Sequence, residues 1–261
     1  IIVNKDNKGP GITRNIGLMN ATGKYVTFID SDDYIRKDTV NILFEIYNKF
    51  EPDCICFDYI RKTCKSEKKV KMINNVEYGN VKIKEAFVNS KGSICGKVFK
   101  LAIIRKNNIK FLDIKRNEDM PFVKVTISYS KSVYYYEEPL YYYVINQNSL
   151  MHNEKFTDEN NAIKAFQYIE QKVSNEVRGE LEGVFIKECL YSNICTTIKK
   201  GYSRKEIIQK IKKQEEKYPS WNKNKAIKQL PFHIYIVLKL YELKLISPIR
   251  LIFKLKKLIM R

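Results

Sequence analysis

The feature that most constrains this chain is a group of carboxylates directly after a short apolar segment. Residues 25–29 (YVTFI) are β-branched and aromatic and too few for a helix, which predicts a buried strand, and Asp30-Ser31-Asp32-Asp33 follows without a break. Three carboxylates within four residues repel one another unless water or a cation compensates. These residues alone leave two interpretations open. One is a ligand site beyond the carboxyl end of a strand, and the other is a solvated turn in which Asp33 or Asp38 caps the next helix.

A cation at this position would be a hard one. Carboxylate oxygens suit Mg²⁺ or Mn²⁺, which proteins hold with one or two carboxylates together with substrate phosphates. A zinc site is not expected, because the six cysteines form no C-x-x-C pair and neither histidine is near a cysteine in sequence. We expect reduced, partly buried cysteines in a cytosolic protein, with Cys54 and Cys56 on one face of a strand.

The order of predicted elements divides the chain into two regions. Residues 1–150 alternate strands and helices, which is typical of an α/β layered domain, whereas residues 151–261 show helical periodicity. Near the end of the first region we predict two paired strands, residues 133–136 and 140–145, with Glu137-Glu138-Pro139 between them. The expected architecture is an α/β domain followed by a helical, basic C-terminal region.

Composition limits the classes of protein to which the chain can belong. With 44% hydrophobic and 12% aromatic residues it is not intrinsically disordered, and 10 Gly and 7 Pro exclude a collagen-like sequence. We find no secretory signal and no apolar run of about 18 residues. The formal charge is +19, which keeps a nucleic-acid-binding protein as a remote alternative. We expect no nucleic-acid partner, because the charges are spread along the chain and no known nucleic-acid module occurs.

Two nearby segments carry a resemblance to a known family. Residues 7–18 read NKGPGITRNIGL, and residues 21–34 read ATGKYVTFIDSDDY. This pattern resembles the family 2 glycosyltransferases of the GT-A fold, whose signature is an N-x-G loop, an A-R-N-x-G-L helix, A-x-G-x-Y and a strand ending in D-x-D-D. Thr13 replaces the common alanine, and Pro10 stands where a second glycine or a similar small residue is usual. The match is dense across both segments, so it is far more specific than the D-x-D alone.

Later motifs extend the resemblance to about residues 1–151. Residues 93–100 (SICGKVFK) are similar to the family motif K-[LV]-[YF]-[KR], and residues 107–111 (NNIKF) are similar to N-x-I-x-F. Residues 117–122 (NEDMPF) are similar to G-E-D-x-x-F, and residues 141–151 are similar to Y-Y-Y…S-[IL]-M. Asn117 replaces the glycine of the third motif. We expect Lys97 to be a solvated lysine at a strand end and do not count it as catalytic. The resemblance implies a GT-A mixed sheet flanked by helices over residues 1–150.

The resemblance implies a glycosyl transfer from a nucleotide-sugar, on family habit a UDP-sugar, with Mn²⁺ or Mg²⁺ on the donor diphosphate. Asp30 and Asp32 would hold the cation, which neutralises the leaving diphosphate, and Asp33 would contact the sugar or the metal shell. Arg14 would reach the nucleotide, where its planar guanidinium suits a phosphate or a base edge. The alternative for Arg14 is a surface residue of a helix.

On the acceptor side, Asp119 matches the family's catalytic base. It would take the proton from an acceptor hydroxyl during direct, inverting displacement. Glu118 would support Asp119 or bind the acceptor, which is expected to be a saccharide or a lipid-linked sugar of a cell-surface polysaccharide or glycolipid. The alternative for Asp119 is a cap on a helix that starts near Pro121.

We expect the chain to be a fragment in which the GT-A domain is N-terminally truncated. It starts at Ile1 without a methionine, and residues 1–3 (IIV) are predicted to be the end of a strand. The family begins with a strand of the type S-V-I-I-P-x-Y-N, a helix and a strand ending in N-D-G-S, and these motifs do not occur here. The alternative function is therefore an inactive fragment or a membrane-associated scaffold of the same fold.

Residues 231–261 combine basic and apolar residues at helical spacing, with one acid, Glu242, and a break at Ser247-Pro248. This pattern is typical of an amphipathic helix that lies on an anionic membrane surface. Such a contact would place the protein in the cytoplasm, peripherally on the inner face of the plasma membrane. The alternative is a helix that packs on the catalytic domain and leaves a solvated basic face.

Overall fold

The computed structural model describes residues 1–114, 116–145 and 159–259. Backbone contacts divide the chain into two compact units, Ile1–Arg178 and Gly179–Arg261. The domain boundary predicted at residue 150 lies outside the described residues, as does the end of the motif at residues 141–151. Within the described ranges, no helix is both long and apolar enough to span a lipid bilayer.

The first unit alternates strands and helices, as its sequence predicts. Its elements are α1 (Gly9–Asn20), β1 (Tyr25–Thr27), β2 (Tyr34–Ile35), α2 (Thr39–Phe50), β3 (Cys54–Lys62), β4 (Glu67–Val70), β5 (Gly79–Val81), α3 (Ile83–Asn89), β6 (Lys97–Lys100), α4 (Leu101–Lys106), α5 (Asp119–Tyr129), β7 (Val133–Val144) and α6 (Glu159–Lys172). The strand predicted at residues 1–3 is wrong. Those residues are exposed and pair with no strand in the described part of the chain, so their backbone lacks the ladder bonds that define a strand.

The described strands form one mixed sheet in the order β1-β6-β3-β7-β2, with β4 paired to β3 and β5 paired to β7. β3 and β7 run parallel, and every other pair is antiparallel. Since β1 pairs with β6, the carboxylate loop after β1 lies beside the segment that leads into β6. The prediction of a mixed sheet flanked by helices is confirmed.

The predicted pair of strands at residues 133–136 and 140–145 is wrong. β7 is one continuous strand that pairs with β3 along its length. Pro139 lies opposite Asp58, where the register between the two strands shifts. Proline donates no backbone hydrogen bond and is tolerated within a sheet at such an irregularity. The break in the sequence pattern is therefore a bulge within one strand, not a turn between two.

The helices cover the sheet, and the most deeply buried of them carries a predicted site residue. A core cluster of Ile46, Ile55, Phe57 and Leu140 joins α2 to β3 and β7. Helix α5 packs against α3, α4 and α6, and all its residues from Met120 to Ser128 are buried. A helix buried on all sides shows no amphipathic pattern, and the buried polar residues Lys124, Thr126 and Ser128 of α5 donate to backbone carbonyl oxygens. The packing of α5 therefore fixes the position of its first residue, Asp119.

The second unit is helical. It contains a 3₁₀ turn (Asn175–Glu180, which begins in the first unit), α7 (Leu181–Val184), a π-helical turn (Phe185–Leu190), α8 (Tyr191–Lys199), α9 (Arg204–Glu215), two further 3₁₀ turns (Trp221–Lys223 and Lys225–Gln229), α10 (Phe232–Glu242) and α11 (Ile246–Ile259). The helix break predicted at Ser247-Pro248 is wrong. The chain turns between α10 and α11 at Lys244, which has a φ of 55°, and Pro248 lies in the first turn of α11, where a proline is tolerated.

Candidate active site

Arg14 ties together three segments that are far apart in sequence. From α1, its Nη1 donates to Glu118 Oε1 at 2.9 Å and to Asp119 Oδ1 at 2.6 Å, and its Nη2 donates to Asp30 Oδ1 at 2.7 Å. Only 12% of the Arg14 side chain is exposed. The alternative of a surface residue is therefore wrong for Arg14. Four of the six predicted site residues meet around this one guanidinium.

The orientation of α1 is set by its contacts with the backbone of residues 111–112. Asn15 makes a paired contact with Phe111: its Nδ2 donates to the carbonyl oxygen at 2.9 Å, and its Oδ1 accepts from the backbone N–H at 2.9 Å. At Gly11, an added Cβ would lie 2.5 Å from the carbonyl oxygen of Leu112. Any larger residue at position 11 would push the helix away. The contacts of Asn15 and Gly11 therefore place the guanidinium of Arg14 at the start of α5.

The turn into α5 depends on two unusual backbone positions. Asn117 has a φ of 67°, in the left-handed region that glycine adopts freely and asparagine tolerates better than most other residues. This explains why asparagine can stand where the family motif has glycine. At Gly92, an added Cβ would lie 2.7 Å from Met120 Cγ. A glycine at position 92 therefore lets the segment before β6 approach the first turn of α5.

Asp119 does not cap its own helix. Its Oδ1 accepts from Arg14, and its Oδ2 accepts from the backbone N–H of Ile94 at 3.1 Å. Burial raises the pKa of Asp119 to about 7, against the opposing effect of Arg14, while the neighbouring charges of Glu118 and Asp30 also raise it. Burial alone would lower the pKa of Arg14, but its three carboxylate partners raise it above its ordinary value. The site therefore pairs a permanent cation with a carboxyl group that titrates near neutral pH.

Residues Asp30 to Asp33 form a turn that Tyr141 fastens to β7. The backbone N–H of Asp33 donates to the carbonyl oxygen of Asp30 at 3.0 Å. The carboxylate of Asp33 accepts from the Tyr141 hydroxyl at 2.5 Å and from the Val144 N–H at 2.8 Å. Burial raises the pKa of Asp33, and these two donors oppose the rise. Asp32, which lies between Asp30 and Asp33 in sequence, is exposed.

Comparison with known proteins relates this arrangement to a family. The family described as "Glycosyl transferase family 2" matches residues 1–112, which include α1, the turn after β1 and the strand β6. Residues 1–112 are therefore similar to glycosyl transferase family 2. The chain is also 25% identical over 227 residues to EpsH of Bacillus subtilis (strain 168), a glycosyltransferase by name. That alignment covers 74% of this chain and 59% of EpsH, so the chain spans about three fifths of this relative.

A second relative joins the sequence comparison to a solved fold. The poly(ribitol-phosphate) beta-N-acetylglucosaminyltransferase TarS of Staphylococcus aureus (strain Mu50) is 26% identical over 144 residues, which is 52% of this chain and 23% of TarS. The crystal structure of S. aureus TarS residues 1–349 in complex with UDP-GlcNAc has a TM-score of 0.59 to this chain, with 19% identity. It covers 93% of this chain and 70% of that one. The chain has the GT-A fold.

The donor atoms in this site fit a hard divalent cation. Asp30 and Asp32 present carboxylate oxygens, and the Asp30 side chain is 40% exposed although one of its oxygens contacts Arg14. Across the described ranges, no three His, Cys, Asp or Glu side chains cluster tightly enough to hold a metal by themselves. Mg²⁺ and Mn²⁺ do not need such a cage, because one or two carboxylates and substrate phosphates suffice. Asp30 and Asp32 are therefore suited to a cation that arrives with a phosphate-bearing ligand.

Sequence reasoning missed three residues that build this site. Asn15 and Tyr141 both lie within quoted family motifs, but their roles as anchors depend on partners far away in sequence. The prediction for Lys97 is wrong, because its side chain is fully buried rather than solvated. The sequence offered no signal for this burial. The structure shows that Gly96, the residue before Lys97, has a φ of 71° and packs against the backbone of Phe57.

Proposed function

We propose that this chain is the catalytic part of an inverting, metal-dependent glycosyltransferase. It transfers a sugar from a nucleotide-sugar, most simply a UDP-sugar, to a hydroxyl group of a cell-surface polysaccharide or glycolipid. The observation that carries the proposal is the meeting of Asp30, Glu118 and Asp119 around Arg14, which joins the predicted donor side to the predicted acceptor side. TarS supports the choice of donor, since its name describes transfer of N-acetylglucosamine and its structure holds UDP-GlcNAc.

On the donor side, Asp30 and Asp32 are the residues that hold the cation, with Mn²⁺ or Mg²⁺ as candidates. When bound, such a cation supplies Lewis-acid stabilisation of the leaving diphosphate. Asp33 acts by shaping the turn, because both its carboxylate oxygens accept hydrogen bonds from β7, and contact with the sugar would add to this role. Arg14 holds Asp30 at one end of its guanidinium and the carboxylates of α5 at the other, and it contacts the nucleotide once a donor is present.

On the acceptor side, Asp119 is the general base. A base works best when its pKa lies near the working pH, and burial raises the pKa of Asp119 to about 7. A carboxylate has about four lone-pair positions that accept hydrogen bonds, and those of Asp119 accept from Arg14 and Ile94. The remaining positions can accept from an acceptor hydroxyl. Glu118 shares the same Arg14 nitrogen as Asp119 and is the candidate to orient the acceptor. The negative charge of Glu118 also helps to keep Asp119 basic.

The first experiment is calorimetry of the chain with UDP, in the presence and absence of Mn²⁺. We expect manganese-dependent binding that weakens more than about ten-fold in Asp32→Ala, since a lost metal contact typically costs that much. Asp38→Asn is the matched control, because Asp38 is an exposed carboxylate that pairs with Arg36 and stands outside this cluster. Absence of manganese-dependent binding, or an equal loss in the control, would contradict the donor site.

The second experiment measures UDP release from UDP-GlcNAc and other UDP-sugars with saccharide, polyol-phosphate and lipid-linked acceptors. Asp119→Asn keeps the size of the side chain and removes the base, so we expect turnover to fall by at least about 100-fold. Glu118→Gln removes the same charge one residue earlier and should lose less. If UDP binds but no acceptor gives turnover, the chain is the inactive scaffold of the alternative hypothesis. Turnover that survives in Asp119→Asn would instead reject Asp119 as the base.

The C-terminal helices support a peripheral contact with an anionic membrane, which would place the protein at the inner face of the plasma membrane. Leu251 and Leu255 are about half exposed one turn apart on α11, with exposed Lys254 beside them. Such a face suits the boundary between lipid headgroups and acyl chains. We expect co-sedimentation with vesicles containing phosphatidylglycerol, reduced in Leu251→Ser/Leu255→Ser. Val40→Ser, an exposed apolar residue of α2, is the control, and equal binding to neutral vesicles would contradict the proposal.

A further inference from the structure

Lys97 is a buried residue that touches neither the proposed metal ligands nor the proposed base directly. It is the first residue of β6, and none of its side chain is accessible to solvent. Its Nζ donates to the carbonyl oxygen of Ser93 at 2.6 Å and also contacts the thioether sulfur of Met72. Burial lowers the pKa of Lys97, while the thiols of Cys56 and Cys95 and the carboxylate of Asp119 act in the opposite direction. Burying a charged lysine costs free energy, so the groups that it contacts indicate its role.

The carbonyl group that Lys97 contacts belongs to the same peptide unit that holds Asp119. The carbonyl of Ser93 and the N–H of Ile94 are the two ends of one planar trans peptide, and they point in opposite directions. The carbonyl end accepts from Lys97, and the N–H end donates to Asp119 Oδ2 at 3.1 Å. Hydrogen bonds in such a chain polarise one another, and the effect is larger where water is excluded.

We propose that Lys97 is a positioning residue for the Asp119 carboxylate and acts through the single peptide group between Ser93 and Ile94. A donor at the carbonyl oxygen increases the positive character of the N–H, which then binds the carboxylate more strongly. The same contact fixes the segment before β6 against the first turn of α5. The inference rests on the proposed function only for the role of Asp119 as a base; the chain of hydrogen bonds itself does not depend on that role.

Several other charged groups face Asp119, and the experiment has to separate Lys97 from them. Arg14 from α1 binds the other carboxylate oxygen, Asp30 approaches from the turn after β1, and Glu118 precedes Asp119 in sequence. None of these changes when Lys97 is replaced. A matched control is Lys124, which lies on α5 with Asp119 and is also fully buried. Its Nζ donates to the carbonyl oxygens of residues 87 and 90.

The test measures the pKa of Asp119 directly, by carbon-13 NMR of the labelled aspartate carboxyl groups in the full chain, with Asp119→Asn used for assignment. Lys97→Met removes the donor, Lys97→Gln keeps an uncharged donor of similar length, and Lys124→Met is the control. We expect the pKa of Asp119 to rise by about 0.5–1 unit in Lys97→Met, because the carboxylate loses part of one hydrogen bond. The rise should be smaller in Lys97→Gln and absent in Lys124→Met.

The outcomes separate this inference from the proposed function. An unchanged Asp119 pKa in folded Lys97→Met, or an equal rise in Lys124→Met, would overturn the role of Lys97. Equal rises in Lys97→Met and Lys97→Gln would also overturn it, because they would assign the effect to the lost charge rather than to the lost donor. If Lys97→Met does not fold, Lys97→Leu, which also lacks a donor, gives the same decision. In the transfer assay, the acidic limb of the rate profile should move to higher pH in step with the NMR value. A shifted pKa together with full turnover in Asp119→Asn would instead reject Asp119 as the base and leave the coupling intact.

Discussion

Replacing Arg14 by methionine tests whether one guanidinium holds the site together. The change keeps an unbranched side chain in α1 and removes three hydrogen bonds, to Asp30, Glu118 and Asp119. Three carboxylates then face one another without their shared cation. We therefore expect Arg14→Met to lower the free energy of unfolding of the first unit and to leave the second unit unchanged.

The magnitude follows from the burial of these groups. Removing one partner of a fully buried ion pair costs about 3–5 kcal/mol, and each hydrogen bond to a charged group contributes about 1.5–3 kcal/mol. The site is only partly buried, since the side chains are between 12% and 40% exposed, and water can replace part of the loss. We expect a loss of about 2–4 kcal/mol at a pH above 7. Arg36→Met is the matched control, because Arg36 also pairs with two carboxylates but at the surface, where we expect about 0–1 kcal/mol.

The loss of unfolding free energy in Arg14→Met should be larger at high pH than at low pH. Burial raises the folded-state pKa of Asp119 to about 7, above its unfolded value, so the folded state binds more protons and this group's contribution to stability falls as pH rises towards 7. Arg14 opposes that rise in pKa, so without it the pKa of Asp119 increases further and the fall in stability becomes larger. The difference between wild type and Arg14→Met should therefore be greater at about pH 8 than at about pH 5.5.

Urea unfolding followed by circular dichroism measures this difference, and the fluorescence of Trp221, the single tryptophan of the chain, follows the second unit. If Arg14→Met lowers the free energy of unfolding by less than about 1 kcal/mol at pH 8, as Arg36→Met does, Arg14 does not hold the site together. A larger loss at the lower pH would refute the electrostatic reasoning. Arg14→Lys should lie between wild type and Arg14→Met, because one ammonium group cannot reproduce the planar fork that reaches three carboxylates.

Three further predictions concern the frame of the site. Asn117→Gly should leave the urea midpoint nearly unchanged, whereas Asn117→Val should cost about 1–2 kcal/mol, because a β-branched residue is strained at a φ of 67°. Tyr141→Phe removes a donor to Asp33 and should cost about 1–2 kcal/mol in the same assay, with a further rise in the pKa of Asp33 that NMR can detect. In the native chain a maleimide should modify Cys64 first, because it is the exposed cysteine; prior labelling of buried Cys95, read by mass spectrometry, would contradict the packing.

Much of the fold could be predicted from the sequence, because the patterns that specify it are local. The apolar run at residues 25–29, the breaks at glycine and proline, and the helical periodicity of α1 and α2 each reflect contacts between near neighbours. The errors arise where the partner is distant. In the sequence alone, Pro139 suggests a turn, because the bulge at this position is visible only once β7 is paired with β3. Residues 1–3 resemble a strand because β-propensity says nothing about whether a partner strand is present.

The site shows the same division. The carboxylates of Asp30 and Asp32 could be selected because they follow a recognisable strand end, whereas Asp119 could be selected only through the resemblance to a family motif. What could not be predicted is that Arg14 would bind three of the predicted residues at once. That depends on the paired contact of Asn15 with Phe111, a contact across 96 residues. Lys97 was judged by its residue type, which favours the surface, although its neighbours in the fold exclude water.

The distribution of charge connects the proposed donor and membrane contacts. The chain as a whole carries +19, yet the candidate site is acidic, since Asp30, Glu118 and Asp119 surround Arg14 and Asp32 lies two residues from Asp30. A nucleotide diphosphate is itself an anion and would be repelled by these carboxylates if it came alone, whereas a divalent cation bound with it reverses the sign of the interaction. The basic residues that outnumber these acids lie elsewhere, including α11, where anionic headgroups are the natural counter-charge. An acidic site on a basic chain is thus an argument for a cation-dependent donor over a nucleic acid, because the carboxylates of the site repel a phosphate backbone that brings no divalent cation.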